Sequence, residues 1–563
     1  MSMANYTDFI ALIETSIKKN WDIDALTDFE GSTYRYNDVA RIIEKLHIYL
    51  EYAGVQPGDR VALYGRNSSH WAITMLGILT YGAVAVPILH EFSGEQAHNI
   101  VNHSGARLLF SGNQVYVRLN PEAMPEVQGI FLLDDFTLPV SRNQALADAA
   151  ENINAFYGRK YPKYFRKEHV SYRPQPDGEA LALINYTSGT TGQSKGVMIP
   201  YRSLWSNAVC AQEKIPSVFQ PGNRIVAILP AAHMYGLMFE FLAGFLAGMH
   251  THYLTRVPSP RVIVKAFGDV KPHLAICVPL VVEKLLRKGV MPKLETPMMK
   301  AAMYVPYARK KILERVRQQL VGAFGGNIKE VVMGGAAFAP ELEDFLHETG
   351  FPYTIGYGTT ETGPLVTYES AAAFRPHSCG KAAPRMEIRI DSQNPTLEVG
   401  EILVKGANVM LGYYRNPEAT AEAIDQGGWY HTGDLGLLDE EGNLFIRGRS
   451  KNMLLTSNGQ NVYPEEVEAR MNALPLVSEC VMVQKDGAFY MLVHPDQEAV
   501  DSQGLNRKAV EDLMEQNRRT LNAQSNKYEQ IKGIRIYDKE FEKTPKKSIK
   551  RYLYVNALDN ADN

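Results

Sequence analysis

Eleven residues in the first half of the chain, 186–196, read YTSGTTGQSKG. Gly189, Gly192 and Gly196 open backbone angles closed to other residues, so successive amides can turn toward one anion. Thr187, Ser188, Thr190 and Thr191 add hydroxyl donors, and Lys195 adds a point charge. The chemistry this suits is phosphate binding. The spacing is not that of the P-loop, where lysine directly follows glycine; here Ser194 precedes Lys195. An apolar run of strand length, ALALIN, precedes the loop and another, GVMIP, follows it. The loop is therefore expected to join two strands, with a helix starting only after Pro200. The competing reading is a flexible Gly/Ser/Thr surface turn.

Three further segments carry the same kind of chemistry. IGYGTTETG at 355–363 sets Tyr357 beside Gly358 and places Thr359, Thr360 and Glu361 in a row. An aromatic can stack on a base, a threonine can bind a phosphate oxygen, and a carboxylate can hold a magnesium ion that bridges phosphates. GWYHTGDLG at 428–436 offers Asp434 after a Thr-Gly turn; one carboxylate can accept from both hydroxyls of a ribose. Arg449 follows in IRGRSKNMLLTSNGQNVYPEEVE at 446–468, and the chain closes on a basic run, EKTPKKSIKRYLY. Each has a plain alternative: a solvated turn, a hairpin aspartate, a solvated basic face.

The elements around these segments predict an α/β protein. Between residues 33 and 110 an amphipathic helix (YNDVARIIEKLHIYLEYAG), a strand (DRVALYG), a buried helix (HWAITMLGILTYGA) and a strand (VAVPI) alternate. The pattern recurs in RIVAILP and HLAICVP around 223–285, and in IKEVVMGGAAF before the helix APELEDFLHETG. Residues 112–178, rich in Tyr, Pro, Arg and Lys, read as surface excursions and a connector. From about 387 the texture turns to short β-like runs, and a smaller unit with two strands, a long polar helix and the basic tail follows 450. The most apolar stretch, 234–249, is interrupted by Glu240 and reads as a buried helix.

With 563 residues the chain exceeds one ordinary domain, and a net charge of −3 gives no argument for a nucleic-acid partner. Four scattered cysteines without a CxxC pair fit a reducing compartment better than a zinc site or a disulfide framework. The N-terminus lacks a basic region followed by an apolar core, so a cytoplasmic location is expected, with peripheral membrane contact left open. Oligomeric state is not legible.

Taken together, YTSGTTGQSKG, LPAAHMYGL, GYGTTETG, WYHTGDLG, GRSKNMLLTSNGQNVYPEEVE and the basic C-terminal motif resemble the AMP-forming acyl–CoA synthetases of the adenylate-forming superfamily, from about residue 30 to about residue 553. The resemblance implies a large N-terminal domain, 1–449, of mixed and parallel sheets with packed helices and a β-rich subdomain. A small mobile α+β domain, 450–563, would rotate about a hinge at Lys451. It implies ATP, Mg2+ and coenzyme A, and two half-reactions: a carboxylic acid and ATP give acyl-AMP and pyrophosphate, then the acyl group passes to the coenzyme A thiol. Thr187, Ser188, Gly189, Thr190, Thr191, Gly192 and Lys195 fall on the phosphate loop. Tyr357, followed by Gly358, falls on the adenine-stacking aromatic, and Gly335 and Ala336 line the base and acyl cleft. Thr360 falls on the α-phosphate threonine, Glu361 on the metal-holding glutamate, and Asp434 and Arg449 on the ribose ligands. Gly459 falls on the hairpin at the pantetheine tunnel.

The segment LPAAHMYGL has no aspartate where amino-acid-activating relatives carry one, so an ammonium group would be left unpaired. His233 and Tyr235, with Gly335, are the acyl-site candidates. The apolar helix behind them, with Phe239, Phe241, Leu242 and Phe245, suits a medium- or long-chain fatty acid, with an aryl acid as the alternative; packing of those phenylalanines in the core is equally compatible. Transfer of the acyl group to a carrier protein and a catalytically impaired nucleotide-binding homologue are the rival functions. The last arises because Ser548 stands where the family carries the adenylation lysine, between Lys547 and Ile549, with Lys546 and Lys550 nearby. Lys547 is the expected substitute, and the protein is expected to be an active ligase.

Overall fold

The computed structural model describes residues 6–187, 194–255, 259–456, 460–543 and 549–558. Two large sheets and a small antiparallel sheet build the N-terminal part. In the eight-stranded sheet the order is Gly412–Tyr413, Lys195–Pro200, Leu181–Thr187, Val84–Leu89, Arg60–Gly65, Leu108–Ser111, Gly129–Leu132 and Val140–Ser141. Its centre is parallel and both its edges are antiparallel. The seven-stranded sheet runs Tyr353–Ile355, Glu330–Met333, Leu274–Cys277, Arg224–Ala227, His250–Tyr253, Asp24–Asp28 and Thr33–Arg35, parallel except for the last pair. Met386–Asp391, Gly400–Gly406, Tyr430–Leu438 and Leu444–Arg449 form the antiparallel sheet. The α/β class expected from the alternating pattern is the one found.

Local chemistry explains the packing helices. Tyr36–Tyr52 turns Tyr36, Val39, Ala40, Ile43, Leu46 and Leu50 inward, the spacing of one helical face. Ser69–Tyr81 is buried nearly all round, as a helix packed on several sides must be. The Ser68 hydroxyl accepts from Trp71 N at 3.1 Å to start it, and Gly82, at φ +86°, ends it. Val84–Leu89 is buried at all six positions, the signature of a strand covered on both faces.

Two expectations change, and a segment without a stated expectation joins the fold. Residues 112–178 are more than a connector: Gly129–Leu132 joins the parallel sheet with Ile130 and Phe131 fully buried, and Val140–Ser141 closes its edge. The N-terminal segment, which carried no motif, supplies the helix Phe9–Lys19 and the strand Asp24–Asp28, which pairs with His250–Tyr253. In the C-terminal unit, strands Val477–Lys485 and Ala488–Pro495 gain a third, Ile531–Ile536, parallel to the second. The apolar stretch 234–249 is buried as expected, as a wide π-helical turn Gly236–Leu242 running into Ala243–Leu246. Among the described residues no helix is long and apolar enough to cross a membrane.

Candidate functional site

The turn after strand Tyr353–Ile355 begins the site. Gly356 N donates to Met333 O at 2.9 Å, and Tyr357 bridges Thr367, so the Tyr357 ring is held in the core at 9% exposure. Its hydroxyl donates to Asp434 Oδ2 at 2.6 Å. Asp434 and Arg449 face one another across neighbouring strands, and Arg449 Nε lies 3.1 Å from Asp434 Oδ1. Asp434 is 5% exposed while the Arg449 side chain is 62% exposed, so the guanidinium covers a buried carboxylate from the solvent side. Burial lifts the Asp434 carboxyl above its ordinary range, and the Arg449 charge and the Tyr357 hydroxyl offset part of that rise. Gly358 follows Tyr357 because a Cβ there would collide with the Pro364 carbonyl.

One turn further, Thr360–Thr362 forms a short 3₁₀ helix with Thr360 buried. Glu361 Oε1 accepts from the Tyr413 hydroxyl at 3.0 Å, and Glu361 O accepts from Met410 N at 2.8 Å. Tyr413 lies on the edge strand beside Lys195–Pro200, and Lys195 Nζ stands 4.8 Å from its ring centre. Tyr413 thus sets a cation and a carboxylate on one aromatic platform. The Tyr413 hydroxyl is held protonated by burial and by the Glu361 charge. Thr187 and Lys195 pair across the hairpin that closes the glycine-rich loop. The strand–loop–strand expectation holds at both ends; Ser188, Gly189, Thr190, Thr191 and Gly192 lie outside the described residues.

The acyl-side candidates follow strand Arg224–Ala227. Three side chains hold the turn that carries them. Asn67 donates to Leu229 O at 2.6 Å and accepts from Ala231 N at 2.7 Å. Asn185, two residues before Thr187, donates to Ala232 O at 2.8 Å. Glu240 accepts from Ile228 N at 2.9 Å and Leu229 N at 3.0 Å, and burial raises its carboxyl well above the ordinary range. His233 Nδ1 accepts from Tyr235 N at 3.2 Å, and the Tyr235 hydroxyl donates to Val332 O at 3.1 Å. That bond ties the turn to the strand Glu330–Met333, which leads into Gly334, Gly335 and Ala336. Gly335, at φ +82°, and Ala336 are exposed. Of the apolar helix, Phe239, Phe241, Leu242 and Phe245 are all core residues: Phe241 packs on Tyr253, Phe245 on Tyr36, and Phe239 meets the Tyr235 ring edge-on.

Past Arg449 the chain passes through the short 3₁₀ turn Ser450–Asn452, with Lys451 exposed. Asn452 Nδ2 donates to Glu465 Oε1 at 2.6 Å. The polar links from the larger part to the smaller include Arg447 to Glu466 at 3.3 Å, Arg287 to Ala473 O at 3.1 Å and Lys288 to Glu498 at 3.0 Å. Gly459, Lys546, Lys547 and Ser548 lie outside the described residues. Their flanks are anchored: Lys543 pairs with Glu479 and bridges Ile549, and Arg551 grips Glu468 with two bonds of 2.6 Å.

Among the described residues no cluster of three or more His, Cys, Asp or Glu could hold a metal by itself. A single carboxylate can hold a magnesium ion only when the other ligands are water and phosphate oxygens. Sequence reasoning missed Asn67, Asn185, Tyr413 and Glu240. Only Glu240 left a trace, a lone acid in an apolar run; the others act through pairings distant in sequence.

An AMP-binding enzyme family model matches residues 13–414, and an AMP-binding enzyme C-terminal domain model matches 451–560. The chain belongs to the AMP-binding enzyme family. Among its relatives, a long-chain-fatty-acid–CoA ligase of Mycobacterium tuberculosis is 29% identical over 76% of this chain and 72% of its own length. One of Escherichia coli is 27% identical over 85% of this chain and 83% of its own. The fold is shared with ATP-bound MatB from Rhodopseudomonas palustris, at 22% identity and a TM-score of 0.75, covering 98% of this chain and 99% of that one. It is shared too with o-succinylbenzoate CoA synthetase of Bacillus subtilis in complex with ATP and magnesium, at 20% identity and a TM-score of 0.71, covering 96% and 98%.

Proposed function

We propose that this protein activates a medium- or long-chain fatty acid with ATP and passes the acyl group to coenzyme A. A substrate carboxylate oxygen attacks the α-phosphorus, the bond to the β-phosphate oxygen breaks, and pyrophosphate leaves. The thiolate sulfur of coenzyme A then attacks the acyl carbon of acyl-AMP, and AMP leaves.

The observation that carries this reading is the Tyr357–Asp434–Arg449 cluster, which continues through Thr360 and Glu361 to Lys195. In the proposed assignment Tyr357 stacks on adenine, Asp434 and Arg449 hold the ribose, Thr360 holds the α-phosphate, and Lys195 with the 187–192 loop holds the other phosphates. Glu361 would hold the magnesium ion, which neutralises phosphate charge when bound. Pre-positioned donors are the main requirement of in-line phosphoryl chemistry, because the transition state spreads charge over oxygens. The names of the curated relatives support a fatty acid, as does a turn at His233 and Tyr235 that presents no fixed anion for an amino group.

We assign 1–449 as the body and 450–563 as a domain that turns about Lys451 between half-reactions, with Gly459 beside the pantetheine arm and Lys547 as the adenylation lysine. In this reading the enzyme works in the cytoplasm, in peripheral contact with a membrane. Pyrophosphate release with acids from acetate to stearate, with and without coenzyme A, tests it. Acid-dependent release that peaks at long alkyl chains and yields acyl-CoA is expected. Release with no acid preference, or none with any acid, overturns it.

A further inference from the structure

Between the helix Pro279–Leu285 and the sheet strand Glu330–Met333, the chain makes a long excursion whose outer surface is unlike the rest of the protein. The helix Pro297–Met303 and the turn after it expose Met298 at 78%, Tyr304 at 89%, Val305 at 53% and Tyr307 at 70%. Met299, Ala302 and Met303 of the same helix face the other way, against the core under the seven-stranded sheet. The following helix, Pro306–Ala323, buries Ile312, Val316 and Leu320 along one stripe, so Lys310, Lys311 and Arg315 look outward. Residues 291–317 hold seven basic side chains against two acidic ones, in a chain whose net charge is −3. Lys311 Nζ lies 4.6 Å from the Tyr307 ring centre, so charge and aromatic surface are interleaved. Arg309 is paired with Glu348 at 2.7 Å, whereas Lys300, Lys310, Lys311 and Arg315 are outward charges of this surface.

Soluble proteins seldom gather large apolar side chains on an exposed tip without an occupant for it. Exposures of 70–89% mean that Met298, Tyr304 and Tyr307 project into solvent. Aromatic and Met side chains that project between lysines match the boundary of an anionic bilayer, where rings enter the headgroup layer and ammonium groups meet phosphates. We propose that residues 297–311 are the surface by which this protein docks on an anionic lipid bilayer, with Met298, Tyr304, Val305 and Tyr307 inserted and Lys300, Lys310 and Lys311 on the headgroups. The inference deepens the fatty-acid reading, since a long-chain acid partitions into bilayers and would be taken up there.

The test is flotation of the full-length protein with vesicles of phosphatidylcholine, with and without phosphatidylglycerol. Wild type is expected on the anionic vesicles only, and to be released by salt. Each lysine reversed should weaken binding roughly fivefold or more, so K300E/K310E/K311E should lose about a hundredfold. Met298→Ser with Tyr304→Ser should weaken binding without changing its salt dependence. Lys163→Glu with Lys167→Glu, on another basic stretch, should bind as wild type does. Thermal denaturation confirms that each variant is folded. Wild type that stays in solution, a triple-lysine variant that binds normally, or a Lys163/Lys167 variant that loses as much, overturns the proposal. Octanoate and oleate, each with ATP and coenzyme A and without vesicles, separate the two ideas. All folded variants should turn over normally there, and absent ligase activity with intact vesicle binding would sink the fatty-acid reading alone.

Discussion

Replacing Asp434 by alanine should remove most of the discrimination between ribose and its deoxygenated analogue. An ionised carboxylate offers about four lone-pair directions. In the structure Tyr357 and Arg449 take one each, at 2.6 and 3.1 Å, and two remain for the two hydroxyls of one ribose. Each charge-assisted bond to a hydroxyl contributes about 1.5–3 kcal/mol, and about 1.4 kcal/mol is tenfold in affinity. Water that fills the alanine cavity recovers part of the loss, so ATP affinity should fall roughly 10- to 100-fold by calorimetry. The same change strips the buried Tyr357 hydroxyl of its acceptor, at about 1–3 kcal/mol of stability, so thermal denaturation must accompany the binding measurement. The decisive comparison uses ATP and 2′,3′-dideoxy-ATP. Wild type should bind ATP far more tightly than the analogue, and Asp434→Ala should lose most of that preference, with Arg449 keeping the remainder. A folded Asp434→Ala that still prefers ATP to the same degree would refute the ribose assignment.

Glu361→Gln should bind ATP but adenylate slowly, with a magnesium requirement shifted upward; pyrophosphate release at wild-type rate across magnesium concentrations removes Glu361 from the metal position. Lys451→Pro should preserve adenylation and block acyl transfer from supplied acyl-AMP, because proline fixes φ near −65° and cannot follow a hinge rotation. Equal loss of both steps indicates misfolding instead. Lys547→Ala should lose adenylation yet still make acyl-CoA from supplied acyl-AMP, whereas an inactive wild type switched on by Ser548→Lys would establish the impaired reading. Burial raises Glu330 from 4.5 to about 7. Its folded form therefore holds a proton that the unfolded chain has already released, and stability falls as pH rises from 4.5 to about 7. Glu330→Gln keeps an acceptor for Ala371 N and the Tyr368 hydroxyl, so it should flatten that slope and gain up to roughly 3 kcal/mol at neutral pH. Melting curves of both proteins across that range that stay parallel would contradict it.

Much of the architecture was legible because its cause is local. The helix Tyr36–Tyr52 follows from apolar spacing, the strand Val84–Leu89 from an uninterrupted apolar run, and the start of the helix Tyr201–Lys214 from Pro200. The glycine-rich loop declared itself through composition, and its flanking runs are the two strands found there. What escaped depends on partners far along the chain. Gly129–Leu132 has no distinctive alternation, and it is a strand because Leu108–Ser111 offers it a parallel edge. Asp24–Asp28 is a strand because His250–Tyr253 lies beside it, more than two hundred residues later.

The site divides in the same way. Side-chain type alone marked the candidates: Tyr357, Thr360, Glu361, Asp434, Arg449 and Lys195 have types suited to base, phosphate and ribose whatever surrounds them. The fold set their partners: Asp434 turns one oxygen to Tyr357 and the other to Arg449, and Tyr413 joins Glu361 to Lys195. It also decided that Phe241 and Phe245 belong to the core, and that Met298, Tyr304 and Tyr307 do not. A side chain's chemistry is carried by its own atoms, whereas its burial and its hydrogen-bond partners are set by which distant strands and helices close around it.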